Sequence, residues 1–148
     1  MYSTKAWAKT SADSDFELID IKRNVCCDDD VTFTVKYCGI CHSDVHVAED
    51  GLKPVRHTNY PCVPGHELAG VVEEVGASVT SCKVGDHVGV GCISDSCLEC
   101  EACTKDQEHA CLHGMTGTYN GQLTHGHIRT DLGWTLGGYS RSMTVHQR

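Results

Sequence analysis

No stretch of this sequence stays apolar for more than a few residues, so nothing in it reads as a membrane span. It also lacks a basic run. Its 12 Lys and Arg stand against 20 Asp and Glu, and the formal charge of -8 opposes nucleic acid or an anionic membrane as partner. Met1-Tyr-Ser-Thr-Lys5 does not lead into the continuous apolar region of a secretion signal. No G-x-G-x-x-G follows a strand-like run, which removes the mark of a doubly wound dinucleotide-binding half. Internal repeats and low-complexity linkers are missing too. These absences predict a small acidic chain working in the cytoplasm.

Cysteine and histidine are abundant. Eleven cysteines would suit a secreted disulfide scaffold by count, but the odd number, the missing signal and ten histidines favour metal thiolates in a reduced compartment. Cys26, Cys27, Cys38, Cys62, Cys82 and Cys92 are isolated, and each is expected to be a small buried hydrophobe. At 148 residues the chain can form one domain, which at that size buries roughly 68–70% of its extended surface.

Short strands dominate the pattern. Phe16 to Ile21 alternates as FELIDI and Val31 to Tyr37 as VTFTVKY, each predicting a strand with one wet face. Cys41 to Glu49 has Ser43 and Asp44 in first-turn positions and stops before Gly51, which predicts a short helix. Leu68 to Val75 is a valine-rich strand, and Val88 to Val90 follows after the turn residues Gly76, Gly85 and Asp86. Residues 118–136 read as a long loop before alternation resumes from Tyr139 to Val145. The expected fold is mainly β, a partly open barrel with short helices.

Cys97, Cys100, Cys103 and Cys111 follow C-x2-C-x2-C-x7-C in a segment with almost no hydrophobic periodicity. That spacing lets one loop wrap a single tetrahedral zinc. Four thiolates close the coordination sphere, so this zinc is expected to be structural, in a lobe spanning residues 93–113. Upstream, Cys41 and His66 lie 25 residues apart and form a second, more open pair. Such a pair leaves zinc positions for water, a carboxylate and substrate, as Lewis-acid catalysis requires. Glu67 adjoins the histidine but points elsewhere if the local backbone is extended. Asp44 is a natural outer partner for a ligand imidazole.

Gly65-His66-Glu67-Leu68-Ala69-Gly70, then Gly76 and Val79, matches G-H-E-x2-G-x5-G-x2-V. By this motif the chain resembles the zinc-containing medium-chain alcohol dehydrogenases. Gly39 to His46, reading GICHSDVH, looks like their first catalytic-zinc segment. The wording is most similar to the cinnamyl alcohol dehydrogenase branch, supported by Tyr119-Asn120-Gly121 and Gly137-Gly138-Tyr139-Ser140. The resemblance runs from near Lys5 to near Val145 and implies a GroES-like N-terminal domain over residues 1–148.

It further implies that Cys41 and His66 are catalytic-zinc ligands, with Glu67 a carboxylate that approaches the metal. Ser43 takes the alcohol proton, His46 passes it outward, and Asp44 backs the ligand imidazole. Cys97, Cys100, Cys103 and Cys111 match the structural-zinc lobe. The implied activity is oxidation of cinnamyl-type or other primary alcohols, or the reverse aldehyde reduction, by a homodimer using NADP or NAD. The family's dinucleotide domain, its third catalytic-zinc cysteine and its returning C-terminal strands would all lie beyond Arg148. The sequence is therefore expected to be a fragment or isolated domain, inactive by itself, with exposed sheet edges. The competing expectation is a non-catalytic zinc-binding scaffold.

Overall fold

The elements of the computed structural model, which describes residues 1–148, follow from where each segment can hide one face. Antiparallel strands β1 (Tyr2–Ala8) and β2 (Glu17–Arg23) pair from Tyr2↔Arg23 to Ala8↔Glu17. Ala6 and Ala8 turn inward with Ile21, Val63 and Leu136, while Trp7 and Leu18 face out. Two alanines carry too little hydrophobic contrast to announce a strand, and β1 has no counterpart among the sequence expectations.

A four-stranded antiparallel sheet, ordered β5-β4-β3-β8, forms the centre. Its strands are β3 (Asp30–Cys38), β4 (Leu68–Val75), β5 (His87–Val90) and β8 (Ser142–His146). Phe33, fully buried, lies opposite both Val72 and Met143 and packs with Leu68 and Met143. The wet face expected of β3 begins only past Phe33. From Asp30 to Phe33 both faces are covered, and Thr32 meets Thr144 at 2.8 Å between hydroxyls. A short hydroxyl satisfied by a cross-strand partner keeps the alternating pattern while losing its solvent.

The bridges Ala6↔Ser140 and Lys9↔Cys62 tie the β1-β2 ribbon to the rest, leaving three sheets in a partly open arrangement. The predicted β4 has the observed bounds, whereas the last strand starts at Ser142. Residues 139–141 instead bond sideways to β1 and β3, with Trp7 N donating to Tyr139 O at 2.8 Å and Val35 N to Arg141 O at 2.9 Å. A third small sheet joins β6 (Ile93–Asp95) to β7 (Thr116–Gly117) at the base of the cysteine loop. Within 118–136 only the Gln122↔Trp134 bridge is strand-like. Every strand pair is antiparallel, so no doubly wound parallel βαβ alternation exists, and no helix is long and apolar enough to cross a membrane.

Arg23 pins the segment before β8. Its guanidinium is buried, donates to the carbonyls of Leu136 and Gly137 and to Ser140 Oγ, and has its pKa lowered by burial to about 10.

The isolated cysteines do not behave alike. All eleven thiols are free, but among the six isolated ones only Cys62 is buried; Cys27 and Cys92 are exposed. Cys27 sits beside an acidic turn and Cys92 just before the β6-β7 ribbon, where no core exists to receive them.

Candidate metal centres

Helix α1 (His42–Ala48) is nucleated by its own first turn. Cys41 is the N-cap, extended at φ -111 and ψ 151, and its backbone N–H donates to Asp44 Oδ2 at 2.9 Å. A carboxylate at the third helical position answers an unpaired N–H and the positive end of the peptide dipoles. The chain then leaves the helix through Asp50, at φ 55, whose Oδ1 accepts from Thr58 N at 2.8 Å. This geometry presents Cys41 at the mouth of the sheet, facing the segment that enters β4.

Cys41, His66 and Glu67 converge, with one ligand atom from each lying within 4.8 Å of the others. His66 is buried, and its Nδ1 sits 3.1 Å from Asp44 Oδ1. An ionised carboxylate only accepts, so Nδ1–H donates and the Nε2 lone pair is left for a metal. Nε2 lies 3.8 Å from Glu67 Oε1.

The local backbone brings the Glu67 carboxylate beside His66. β4 begins only at Leu68, and Gly65 at φ +100 breaks the extended run before His66. Strand alternation therefore does not separate the two side chains. Opposite, Gly39 leaves the space: a Cβ there would collide with the Glu67 carboxylate. Three groups able to ligate, with a fourth position left open, match the pattern of a catalytic rather than a structural zinc site.

Ser43 joins this cleft. Its hydroxyl donates to Cys41 Sγ at 3.1 Å and accepts from Tyr119 OH at 3.4 Å. The Tyr119 ring stacks on His66 with centroids 5.4 Å apart, and burial raises its pKa to about 12. His46 lies elsewhere. It is exposed one turn along α1, its ring 4.6 Å from that of His42, and no hydrogen bond joins it to Ser43. Two residues of the cleft carry no role in the sequence reasoning beyond family resemblance, Tyr119 and Tyr139. Both come from irregular segments far along the chain, where spacing offers no signal.

The second centre is compact. Cys97, Cys100, Cys103 and Cys111 bring four Sγ atoms within 4.8 Å of one another, and measured pairs are 3.8 Å (Cys97–Cys103) and 3.5 Å (Cys100–Cys103). A tetrahedron with Zn–S near 2.3 Å has edges of about 3.8 Å, so the cage fits that ion. Backbone N–H groups already point at the sulfurs, from Cys100 to Cys97 Sγ at 3.4 Å and from Leu112 to Cys100 Sγ at 3.5 Å. The Cys100 thiol is lowered to about 6, chiefly by the backbone N–H of Cys103 and then of Leu112. Two short 3-10 turns, Cys103–Lys105 and Glu108–Ala110, carry the loop between ligands. Arg148 docks it, donating to Cys103 O at 2.9 Å.

Comparison with known proteins agrees with this architecture. The family model of the alcohol dehydrogenase GroES-like domain matches residues 27–148. The chain is 46% identical, over 99% of its length, to NADP-dependent alcohol dehydrogenase C 1 of Mycolicibacterium smegmatis, of which it spans 40%. It is 45% identical, over 97% of its length, to the aldehyde reductase YahK of Escherichia coli, of which it spans 39%. A cinnamyl alcohol dehydrogenase of Sorghum bicolor superposes with a TM-score of 0.86 at 39% identity, over 99% of this chain and 39% of that one. The Helicobacter pylori cinnamyl alcohol dehydrogenase complexed with NADP(H) gives 0.86 at 36% identity, over 98% of this chain and 40% of that one.

A β-rich body with a cysteine cage and a Cys-His-Glu cleft is the GroES-like portion of a zinc-dependent medium-chain dehydrogenase. The chain belongs to the medium-chain alcohol dehydrogenase/reductase superfamily, in its cinnamyl-alcohol-dehydrogenase-like branch, and corresponds to about two fifths of the relatives' length.

Proposed function

We propose that this chain is the metal-bearing part of an NADP- or NAD-linked alcohol dehydrogenase or aldehyde reductase, with cinnamyl-type or other primary alcohols and their aldehydes as substrates. The observation that carries the proposal is the convergence of Cys41, His66 and Glu67 beside the Ser43 hydroxyl. Zinc held there supplies Lewis acidity to an alcohol or carbonyl oxygen. The Cys41 thiolate and the Glu67 carboxylate together balance a divalent charge, while neutral His66 adds a donor without further charge.

Ser43 accepts the alcohol proton, with Tyr119 donating to its oxygen and so fixing its orientation. His46 is exposed one turn along α1 and makes no direct hydrogen bond to Ser43, so it would pass that proton to water only through a hydroxyl bridging the two. In the reduction direction the same groups deliver a proton to the carbonyl oxygen. The cage at Cys97, Cys100, Cys103 and Cys111 holds a structural zinc, because four thiolates leave no position for substrate. A solely structural role for the chain would leave the Cys41–Ser43–Tyr119 series without a purpose.

The activity is tested in a chimera in which residues 1–148 replace the matched part of the E. coli aldehyde reductase. We expect NADPH oxidation with an aromatic aldehyde, lost in Cys41→Ser. A folded, zinc-loaded chimera without turnover would refute the assignment. The 148 residues alone should show no protein-dependent change in nicotinamide absorbance. They hold no strand-to-helix phosphate turn, and positioning the hydride donor is worth roughly 7–11 kcal/mol of the barrier.

A further inference from the structure

Asp44 is a buried carboxylate, 2% exposed, that no lysine or arginine reaches. A charge so placed persists only if hydrogen bonds replace its water. Four donors do so. Oδ1 takes Gly65 N–H and His66 Nδ1–H, both at 3.1 Å. Oδ2 takes Cys41 N–H and the Tyr139 hydroxyl, both at 2.9 Å. Three of these donors are ligand residues or their immediate neighbours. Tyr139 alone arrives from a distant part of the chain.

Its position is held from several sides. Tyr139 N donates to Pro64 O at 3.0 Å, and its own carbonyl accepts from Trp7. The ring packs on the Ala6–Leu136 cluster, and a Cβ on Gly65 would meet ring carbon Cδ1 at 2.8 Å. Backbone pairing and ring packing together hold the phenol toward Asp44. Burial, and then the hydrogen bond to Asp44, keep it protonated well above the ordinary phenol range.

We propose that Tyr139 is a positioning residue for the Cys41–His66–Glu67 centre, its hydroxyl orienting the Asp44 carboxylate that in turn aims His66. The idea rests on the metal assignment proposed above. With Oδ2 held by two donors, the carboxylate plane is set, and Oδ1 keeps Nδ1–H of His66 engaged. Nε2 is thereby turned toward Cys41 and Glu67. Without the phenolic donor, Oδ2 keeps one partner and the carboxylate can rotate within its pocket. Outer partners of this kind typically alter metal affinity 10–100-fold.

Tyr139→Phe removes only the oxygen and retains the packed ring. The protein, with its cysteine cage first filled with zinc, is titrated with cobalt(II), and the cleft is read by thiolate-to-cobalt charge-transfer absorption that disappears in Cys41→Ser. We expect Tyr139→Phe to weaken cobalt about 10-fold or more while cage zinc is retained and the variant, a little less stable for the lost hydrogen bond, stays folded throughout the titration. Asp44→Asn should also weaken cobalt, and adding Tyr139→Phe to it should cost nothing further. Unchanged affinity in Tyr139→Phe would overturn the proposal, as would an equal further loss in the Asp44→Asn background. Loss of cage zinc or of the fold in Tyr139→Phe would assign the hydroxyl to stability and also overturn it. Absence of any Cys41-dependent cobalt signal in the unaltered protein is a different result, which removes the metal assignment and this proposal together.

Discussion

The two candidate metal centres are built by opposite strategies. The cage draws all four sulfurs from one loop, Cys97 to Cys111, in which Cys100 and Cys103 are the only buried hydrophobic residues. The cleft draws Cys41 from a helix cap, His66 and Glu67 from the entry to β4, and its supports Asp44, Tyr119 and Tyr139 from three separate segments. One region has little to hold it except a metal that its four sulfurs would share. The other is held by the sheet and the hydrogen bonds around it, whether or not a metal is present. The difference predicts where each site's stability comes from: ion coordination in the first, tertiary packing in the second.

Removing one cage ligand should have the largest effect. Structural zinc contributes about 10–16 kcal/mol to folding in small zinc domains, far more than this loop's apolar burial can replace. Cys100→Ala should therefore lose one zinc and expose residues 97–112 to protease, while the central sheet survives. Metal analysis with limited proteolysis checks it, and a metal-free loop that resists protease would break the contrast.

The scaffold side of the contrast is tested at Phe33. Emptying this fully buried position between Leu68 and Met143 should cost about 3–5 kcal/mol in urea unfolding. A loss below 1 kcal/mol would show that the sheet does not depend on this cluster.

Gly39→Ala sharpens the comparison within the cleft. The added methyl collides with the Glu67 carboxylate, so cleft affinity should fall several-fold while the cage keeps its zinc. Equal cobalt affinity in the variant would show that Glu67 does not contribute to the centre.

The smallest effect belongs to pH. Burial first, and then the charge of His127, hold the His146 imidazole below its ordinary value of 6.5. As pH falls below about 6.5 the unfolded chain takes up this proton before the folded one, so stability is lost from there down to the folded pKa. His146→Gln should flatten that part of a melting curve series between pH 7.5 and 5.5. An unaltered slope would remove His146 as the source.

Much of this was legible from residue order. The valine-rich β4, the helix starting after Cys41 and the four-sulfur loop all depend on local pattern, and the structure has them at those places. Asp44 as the partner of His66 was readable as well. β1 was not, since its inward residues are two alanines. The inward thiols expected throughout were found only at Cys62, because local sequence does not say which turns meet a core. Glu67 looked misdirected from alternation alone, and Gly65 with Gly39 reversed that outcome through backbone turn and free space.

By itself the sequence determined the elements that depend on neighbours along the chain: strand alternation, the helix cap, and ligand spacing within one short loop. Only the tertiary structure decided that Glu67 faces His66, that Tyr119 stacks on it, and that Tyr139 reaches Asp44 across 95 positions of chain. Such contacts depend on sheet register and on where irregular segments cross. Those are set by the packing of the whole core, to which no single stretch of residues carries the key.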